Sequence, residues 1–258
     1  SNEPRGPVGL WSGEAGLQAL VLPQRLNRVV LKGLEASGTP AEKRQDIALP
    51  TFNPDGHKPG IVHLGLGAFS RAHIAHYTES VLAERGGDWR IVGVSLRRAD
   101  VADQLVPQDG LYTLVEQGGG PAGNAERFRI LAAIRDVLVA PDSPAAVITA
   151  MQESSVRIVS LTVTEKGYCH DPASGELKLS HPDIQWDLAN LERPRTAVGF
   201  LVAGLARRFA NGQPAFTPLC LDNLPTNGAL LKRLTLTFAE AMNPVLAARI
   251  AQVEFPST

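Results

Sequence analysis

The sequence predicts an α/β fold: a doubly wound, mostly parallel sheet with helices on both faces. Three observations carry that expectation. Short β-branched runs alternate with helical stretches along most of the chain, which is the pattern that builds a parallel sheet. The run Val156–Val163 is apolar and β-branched almost throughout, as a strand buried on both faces must be. The first such run, Ile61–Leu64, leads through Gly65-Leu66-Gly67 into a helical stretch, so strand, tight turn and helix follow without a spacer.

In chain order, Leu20–Leu34 is apolar enough for a helix, and 49–60 is punctuated by Pro and Gly as a turn-rich linker. A helix is expected over 69–85, stopped by Gly86-Gly87, and a second strand over Arg90–Leu96. A short helix over 100–106, a third strand over Leu111–Val115, a surface loop over 118–123 and one or two strands within 129–139 follow. Ser143-Pro144 supplies an N-cap and first-turn proline for a helix to about residue 152. Beyond the strand at 156–163, helices are expected over 196–210, 226–242 and 244–252, with a strand at Phe216–Leu221. Residues 1–59 thus read as an extension and linker, and 60–258 as the α/β domain.

Bulk properties exclude several classes. With 25 basic and 26 acidic residues the net charge is −1, which gives no electrostatic footprint for nucleic acid or a membrane surface. No apolar run reaches the ~20 residues of a transmembrane helix. The opening Ser1-Asn2-Glu3-Pro4 lacks the basic-then-apolar profile of a secretion signal. Two distant cysteines, Cys169 and Cys220, fit a reduced cytoplasmic protein better than a disulfide scaffold.

In doubly wound sheets ligands sit at the carboxyl ends of the strands, so residues just past strands carry most weight. Gly65-Leu66-Gly67-Ala68-Phe69-Ser70 has a glycine for the tight turn, a second where a backbone must approach a pyrophosphate, and the small Ser70 for close helix–strand packing. In that context, rather than as a bare GxG, it reads as a dinucleotide-binding signature, its other reading being a purely structural turn. Arg71 follows on the first helical turn, either as a phosphate partner or as a surface cation. A carboxylate past the second strand should bind the ribose hydroxyls, and Asp100 is the candidate; its other reading is a cap for the next helix. Arg97 and Arg98 beside it keep a 2′-phosphate, and hence NADP, open. Thr164, Glu165 and Lys166 follow the longest strand, in a site or in a solvated loop with a Glu–Lys pair, and Asn223 follows Phe216–Leu221, in a site or as a cap for the next helix. His63, inside a strand, reads as a hydrogen-bonded core histidine. His73 and His76 have no carboxylate at ligand spacing, so no metal is expected. The cysteines lack an activating base and read as small buried residues.

Three runs in order, Gly65-x-Gly67-x-Phe69-x-Arg71-Ala72-His73, Ser160–Tyr168 and Asp222-Asn223-Leu224-Pro225-x-Asn227-Gly228, resemble the polyol-specific long-chain dehydrogenases, the mannitol dehydrogenase and fructuronate reductase family. Thr164-Glu165-Lys166-Gly167-Tyr168-Cys169 leans toward the hexuronate branch. The resemblance implies an NAD-dependent, metal-independent oxidoreductase with a Rossmann domain and a helical C-terminal domain, exchanging a polyol or aldonate (mannitol, mannonate type) with its keto form (fructose, fructuronate type). It implies that Asn223 polarises the substrate oxygen, that Thr164, Glu165 and Lys166 lie near the nicotinamide ribose, and that the proton-transfer lysine belongs to the second domain. That domain is absent from these residues, so the chain is expected to be the nucleotide-binding part of a longer protein, inactive by itself. A non-catalytic Rossmann module that senses nucleotide shares the fold; Asn223 and its flanking run favour the enzyme. The implied partner is a small sugar alcohol or sugar acid, with nothing to specify the oligomeric state.

Overall fold

The computed structural model describes residues 25–36, 47–120 and 123–258. The chain runs through α1 (Arg28–Ala36), β1 (Ile47–Ala48), β2 (Pro59–Leu64), α2 (Ala68–Ala72), α3 (Ile74–Arg85), β3 (Arg90–Ser95) and α4 (Asp100–Leu105). There follow β4 (Tyr112–Gly120), β5 (Gly123–Leu131), β6 (Ile134–Val139), α5 (Pro144–Gln152) and β7 (Ile158–Leu161). It ends with α6 (Pro182–Ala189), α7 (Ala197–Ala210), β8 (Thr217–Cys220), α8 (Asn227–Met242) and α9 (Pro244–Ile250).

The main sheet has the order β6-β3-β2-β7-β8, with every neighbour parallel. Its registers align Leu138, Val94, Leu64, Leu161 and Cys220 in one row near the carboxyl ends. The face carrying Val62, Leu64, Val92, Val94, Val159 and Leu161 packs against α5, α7 and α8. The opposite face, through Ile91 and Ile134, packs against Leu82 of α3 and Leu105 of α4. Helices therefore cover both faces, as expected for a doubly wound sheet, and each fully buried large side chain contributes about 1.5–3 kcal/mol.

Several expectations change. Tyr112–Gly120 does not join the parallel sheet. It pairs antiparallel with β5 in a separate three-stranded sheet, β1-β5-β4, and Gly118–Gly120, expected in a loop, continue the strand opposite Gly123–Ala125. Alternating elements bias the eye toward parallel pairing, whereas two strands this close in sequence pair most readily as a hairpin. The helix expected over 69–85 breaks at His73, whose φ and ψ are −114° and −67°. The strand at 156–163 shortens to four residues, because its ends turn into loops. Of the helix expected over Leu20–Leu34, residues 20–24 lie outside the described residues and the remainder joins α1 only from Arg28. The 144–152 helix stands as read, with Ser143 Oγ accepting from the Ala146 N–H.

Buried polar groups tie the crossovers together. Arg208, on α7 and 2% exposed, donates to the carbonyls of Met151 (2.7 Å), Glu153 (2.8 Å), Val156 (2.6 Å) and Pro214 (3.0 Å). One planar fork thereby closes the turn between α5 and β7 and the turn between α7 and β8. Asp187, fully buried on α6, accepts from the N–H groups of Arg195 (2.7 Å) and Thr196 (2.9 Å) and from Thr196 Oγ1 (2.7 Å). Gly199 makes room for it, since a Cβ there would meet Asp187 Oδ2 at 2.1 Å. Arg90 donates to the carbonyls of Pro54, Ala132 and Ile134, while Glu79 accepts the Ala132 N–H at 2.8 Å. The two side chains thus hold the β5–β6 corner from both sides.

Arg208→Lys should lower the unfolding free energy by about 2–4 kcal/mol, because one ammonium cannot satisfy four carbonyls that stay buried; urea unfolding measures it. A second expectation concerns pH. Burial holds His63 near 4, below its ordinary 6.5, so stability is lost as pH falls from 6.5 to 4, when only the unfolded chain takes the proton. Burial pushes Glu79 up to about 7 from 4.5, so stability falls as pH rises across 4.5–7, when only the unfolded chain has lost its proton. The two slopes oppose each other in the overlap, and the protein should show little pH dependence there. Glu79→Gln should uncover a slope of about 1.4 kcal/mol per pH unit, stability rising with pH, in unfolding midpoints taken between pH 4.5 and 6.5.

Candidate functional site

The strand order reverses direction between β2 and β7, where chain leaves β2 toward one face and β7 toward the other. This is the switch point at which doubly wound sheets bind ligands. A groove of about 620 Å³ opens there, within the range of small-molecule sites. Its floor is the glycine turn, Gly65-Leu66-Gly67; one bank carries Ser95, Arg97, Arg98 and Asp100, and the other carries Thr162, Val163, Thr164 and Gly167. Asp183 and Arg195 also reach it. A second hollow of about 580 Å³ lies along β6 between α5 and the chain near Val106–Gly110, away from the glycine turn.

The two glycines do different things. Gly65 has φ +95°, and a Cβ there would sit 2.1 Å from the Thr162 carbonyl oxygen. Only glycine permits that conformation and that approach. A Cβ on Gly67 would meet only the Gly65 carbonyl, at 3.8 Å, so its side is open to the groove. Gly65 and Leu66 both donate to the Val94 carbonyl, at 2.9 and 3.0 Å. Ser70 Oγ accepts from Gly67 N–H and donates to Gly67 carbonyl, both at 3.0 Å, closing the turn onto α2. His63 is 1% exposed and lies beneath the turn. Its Nδ1 is 2.8 Å from Ser160 Oγ and its Nε2 2.9 Å from Thr162 Oγ1. Because Thr162 Oγ1 donates its own proton to Gly65 carbonyl (3.0 Å), Nε2 must be the protonated nitrogen and Nδ1 the acceptor. His63 is therefore a neutral core histidine, as its place in a strand suggested.

Asp100 opens α4 on the bank beyond β3 and pairs with Arg98 at 2.6 Å, both side chains exposed. Arg97 lies beside them in the groove. Phe69 is 56% exposed and stacks against His73 at 4.6 Å, and Ala68 is exposed at the start of α2. Arg71 does not line the groove: its carbonyl accepts from Tyr112 Oη at 2.6 Å and its Nη1 is buried. Glu165 and Lys166 fall in a single 3-10 turn, Glu165–Tyr168, directly past β7. Thr164, which precedes it, has φ +63° and ψ 157°, a region at ease only for glycine and costing other residues about 1–3 kcal/mol. Asn223 is exposed just past β8, so the structure brings it to the same end of the sheet as the glycine turn, though not into the groove wall itself.

Sequence reading missed Asp183 and Arg195. Both arrive from α6 and the approach to α7, and α6 was not anticipated. Its signal was present in His181-Pro182, where His181 Nδ1 accepts from the Asp183 N–H and proline occupies the first turn. Arg195 stacks over Trp186 at 3.8 Å and lies 3.6 Å from Asp183. The other omission is Asp222, whose carboxylate accepts from Val163 N–H (3.1 Å), Thr164 N–H (3.4 Å) and Tyr168 Oη (2.5 Å). Among the described residues no group of three or more His, Cys, Asp or Glu is placed to hold a metal ion.

A parallel sheet ordered β6-β3-β2-β7-β8, whose strand β2 ends in a glycine turn facing a groove, defines a Rossmann-type dinucleotide-binding domain. Residues 59–258 match the mannitol dehydrogenase Rossmann domain, and the chain belongs to that family. Mannitol 2-dehydrogenase of Phaeosphaeria nodorum is 39% identical over 233 residues, covering 89% of this chain and 40% of that protein. The Aspergillus oryzae enzyme is 39% identical over 242 residues, covering 91% and 46%. Among solved structures, Pseudomonas fluorescens mannitol 2-dehydrogenase in ternary complex with NAD and D-mannitol superposes with a TM-score of 0.80 at 40% identity, covering 89% of this chain and 45% of that one. A substrate-free D-sorbitol dehydrogenase gives 0.79 at 38% identity, covering 90% and 46%. The chain thus spans less than half the length of these relatives.

The contrast between the glycines is directly testable. Gly65→Ala should destabilise the fold by about 2 kcal/mol or more through strain and the clash with Thr162, whereas Gly67→Ala should leave the thermal midpoint within a degree or two of the parent, as expected of a side chain pointing into open space.

Proposed function

We propose that the groove binds NAD(H) and that the chain is the nucleotide-binding half of a dehydrogenase acting on a polyol such as mannitol, with the hexuronate pair mannonate and fructuronate as the alternative substrate class. The observation that carries this is the open side of Gly67, which leaves room for a pyrophosphate against the turn backbone, in a chain of the mannitol dehydrogenase family. The residues fit the cofactor. Gly65, Leu66, Gly67 and Ala68 present backbone at the turn, with Phe69 and Ser70 shaping its exit. Asp100 takes the adenosine ribose hydroxyls, and its carboxylate disfavours a 2′-phosphate. Arg97 flanks the same end. Thr164, Glu165 and Lys166 lie toward the nicotinamide ribose. Arg71, whose carbonyl accepts from Tyr112 Oη, acts through the α2 backbone.

NAD supplies the hydride acceptor; the hard chemistry belongs to it. The chain's own contribution is positioning and polarisation. Asn223 makes no hydrogen bond to any described residue, so its amide N–H groups can meet the substrate oxygen and stabilise the charge that grows there. Asn227 beneath it is buried and fixes the turn, donating to the carbonyls of Cys220 (3.2 Å) and Asp222 (3.1 Å). Proton transfer and most substrate contacts are assigned to the remainder of a protein of the relatives' length. Loss of an acid–base group alone costs about 10²–10⁴-fold, so this chain by itself should bind NADH with almost no turnover. Both cysteines carry free thiols, which supports a reduced, cytoplasmic setting, and no described helix is long and apolar enough to cross a membrane.

Calorimetric titration tests the reading. The chain should bind NADH more tightly than NADPH; Gly67→Val should remove at least about tenfold of the NADH affinity without loss of fold, and Asp100→Ala should narrow the gap between the two cofactors. Unchanged NADH affinity in Gly67→Val would overturn the assignment of the turn, and a parent preference for NADPH would transfer the ribose site to Arg97 and Arg98.

A further inference from the structure

We infer that Asp222 is a positioning residue that ties the loop after β7 to the end of β8 and so sets the shape of the nicotinamide end of the groove; this rests on the NAD reading above. The carboxylate collects three donors from one loop, besides a long contact of 4.0 Å from Cys220 Sγ. Its Oδ2 accepts from Val163 N–H at 3.1 Å and Tyr168 Oη at 2.5 Å, and its Oδ1 from Thr164 N–H at 3.4 Å. That loop is the groove wall, since Thr162, Val163, Thr164 and Gly167 line it. Burial, reinforced by Asp222 and Cys220, pushes the Tyr168 phenol far above its ordinary range, so it stays a donor. Cys220 Sγ lies 3.0 Å from the same phenol oxygen.

Asp222 is itself anchored. Its carbonyl accepts from Asn227 Nδ2 at 3.1 Å, and Asn227 Oδ1 accepts from Thr258 N–H at 3.1 Å. The position of the carboxylate is therefore fixed from the α8 side, and the loop is fitted to it. What the grip holds is Thr164 at φ +63°, ψ 157°, a conformation a β-branched residue keeps only when its surroundings demand it. Thr164 carbonyl also accepts from Gly167 N–H at 2.9 Å, so both ends of the residue are held. The next residue after Asp222 is Asn223. One carboxylate therefore registers the strained groove wall against the amide assigned to the substrate oxygen. Releasing it frees two loop N–H groups and lets Thr164 relax toward negative φ, which rotates the adjoining peptides out of their places in the wall. The adenosine end, around Arg97, Arg98 and Asp100, makes no hydrogen bond with this link, which comes near the glycine turn where Val163 lies beside Gly65.

The experiment compares NADH with ADP, which lacks both the nicotinamide and the ribose next to it, by calorimetry on the 258-residue chain. The parent should bind both. Asp222→Asn, which puts a donor against the loop N–H groups, should weaken NADH about tenfold while ADP stays within about twofold. Thr164→Gly added to Asp222→Asn should recover most of the NADH affinity, because glycine adopts that backbone without strain. Tyr168→Phe, which removes one donor and leaves the carboxylate, should give a smaller loss confined to NADH. An unchanged NADH affinity in Asp222→Asn, an equal loss for both ligands, or no recovery with Thr164→Gly would each overturn the inference. If Asp222→Asn fails to fold, Tyr168→Phe decides, and an equal loss or no loss there overturns it as well. A parent that binds ADP but shows these failures leaves the NAD reading intact; a parent that binds neither ligand overturns both.

Discussion

The approach of Gly65 to the Thr162 carbonyl is the constraint from which the site follows. At the switch point β2 and β7 lie side by side, and their chains must then leave toward opposite faces. A Cβ at residue 65 would occupy the space of the Thr162 oxygen, so the two strands can be this close at their ends only with glycine there. The same closeness allows Thr162 Oγ1 to reach the Gly65 carbonyl and His63 Nε2 to reach Thr162 Oγ1. A buried chain of hydrogen bonds, Ser160–His63–Thr162–Gly65, runs from the sheet interior to the turn. Such chains rigidify when every member is satisfied, and here a neutral imidazole satisfies both neighbours. The turn is therefore held from below, and the groove above it inherits a defined floor.

The banks of that groove are built by contrasting means. The adenosine-side bank is local: Asp100 and Arg98 pair across two residues on an exposed helix start, which water screens and which a ligand can rearrange at little cost. The opposite bank is long-range. Val163 and Thr164 are fixed by a carboxylate 58 or more residues away, and α6 brings Asp183 and Arg195 to the rim under the hold of the buried Asp187. An exchangeable surface pair faces one end of the site and a buried, interlocked network faces the other.

This division explains what could be read in advance. The sheet, its helices and the glycine turn were legible because each rests on local patterning: alternation of elements, a Gly-x-Gly between strand and helix, Ser143-Pro144 opening α5. The place of Asp100 on the groove was legible for the same reason, as an acid just past a strand. The β4–β5 hairpin was not, since glycines at 118–120 read as a loop while their strand partners supply the missing order. Asp222 stood in plain view inside the run shared with the polyol dehydrogenases, yet its partners come from the loop past β7. Spacing along the chain carries no trace of that meeting. Arg195 was equally hidden, because its reach into the groove depends on a helix whose only sequence mark was His181-Pro182.

Arg208 has a consequence for how the domain opens. Its guanidinium gathers carbonyls from Met151, Glu153, Val156 and Pro214, so the turns entering β7 and β8 share one buried charge. Neither turn can swing out without leaving that charge in the apolar interior or exposing the other turn's carbonyls. Opening one by itself is costlier than opening the two together. Amide protons in these two turns should consequently exchange with solvent as a single cooperative unit, although more than fifty residues of chain separate them.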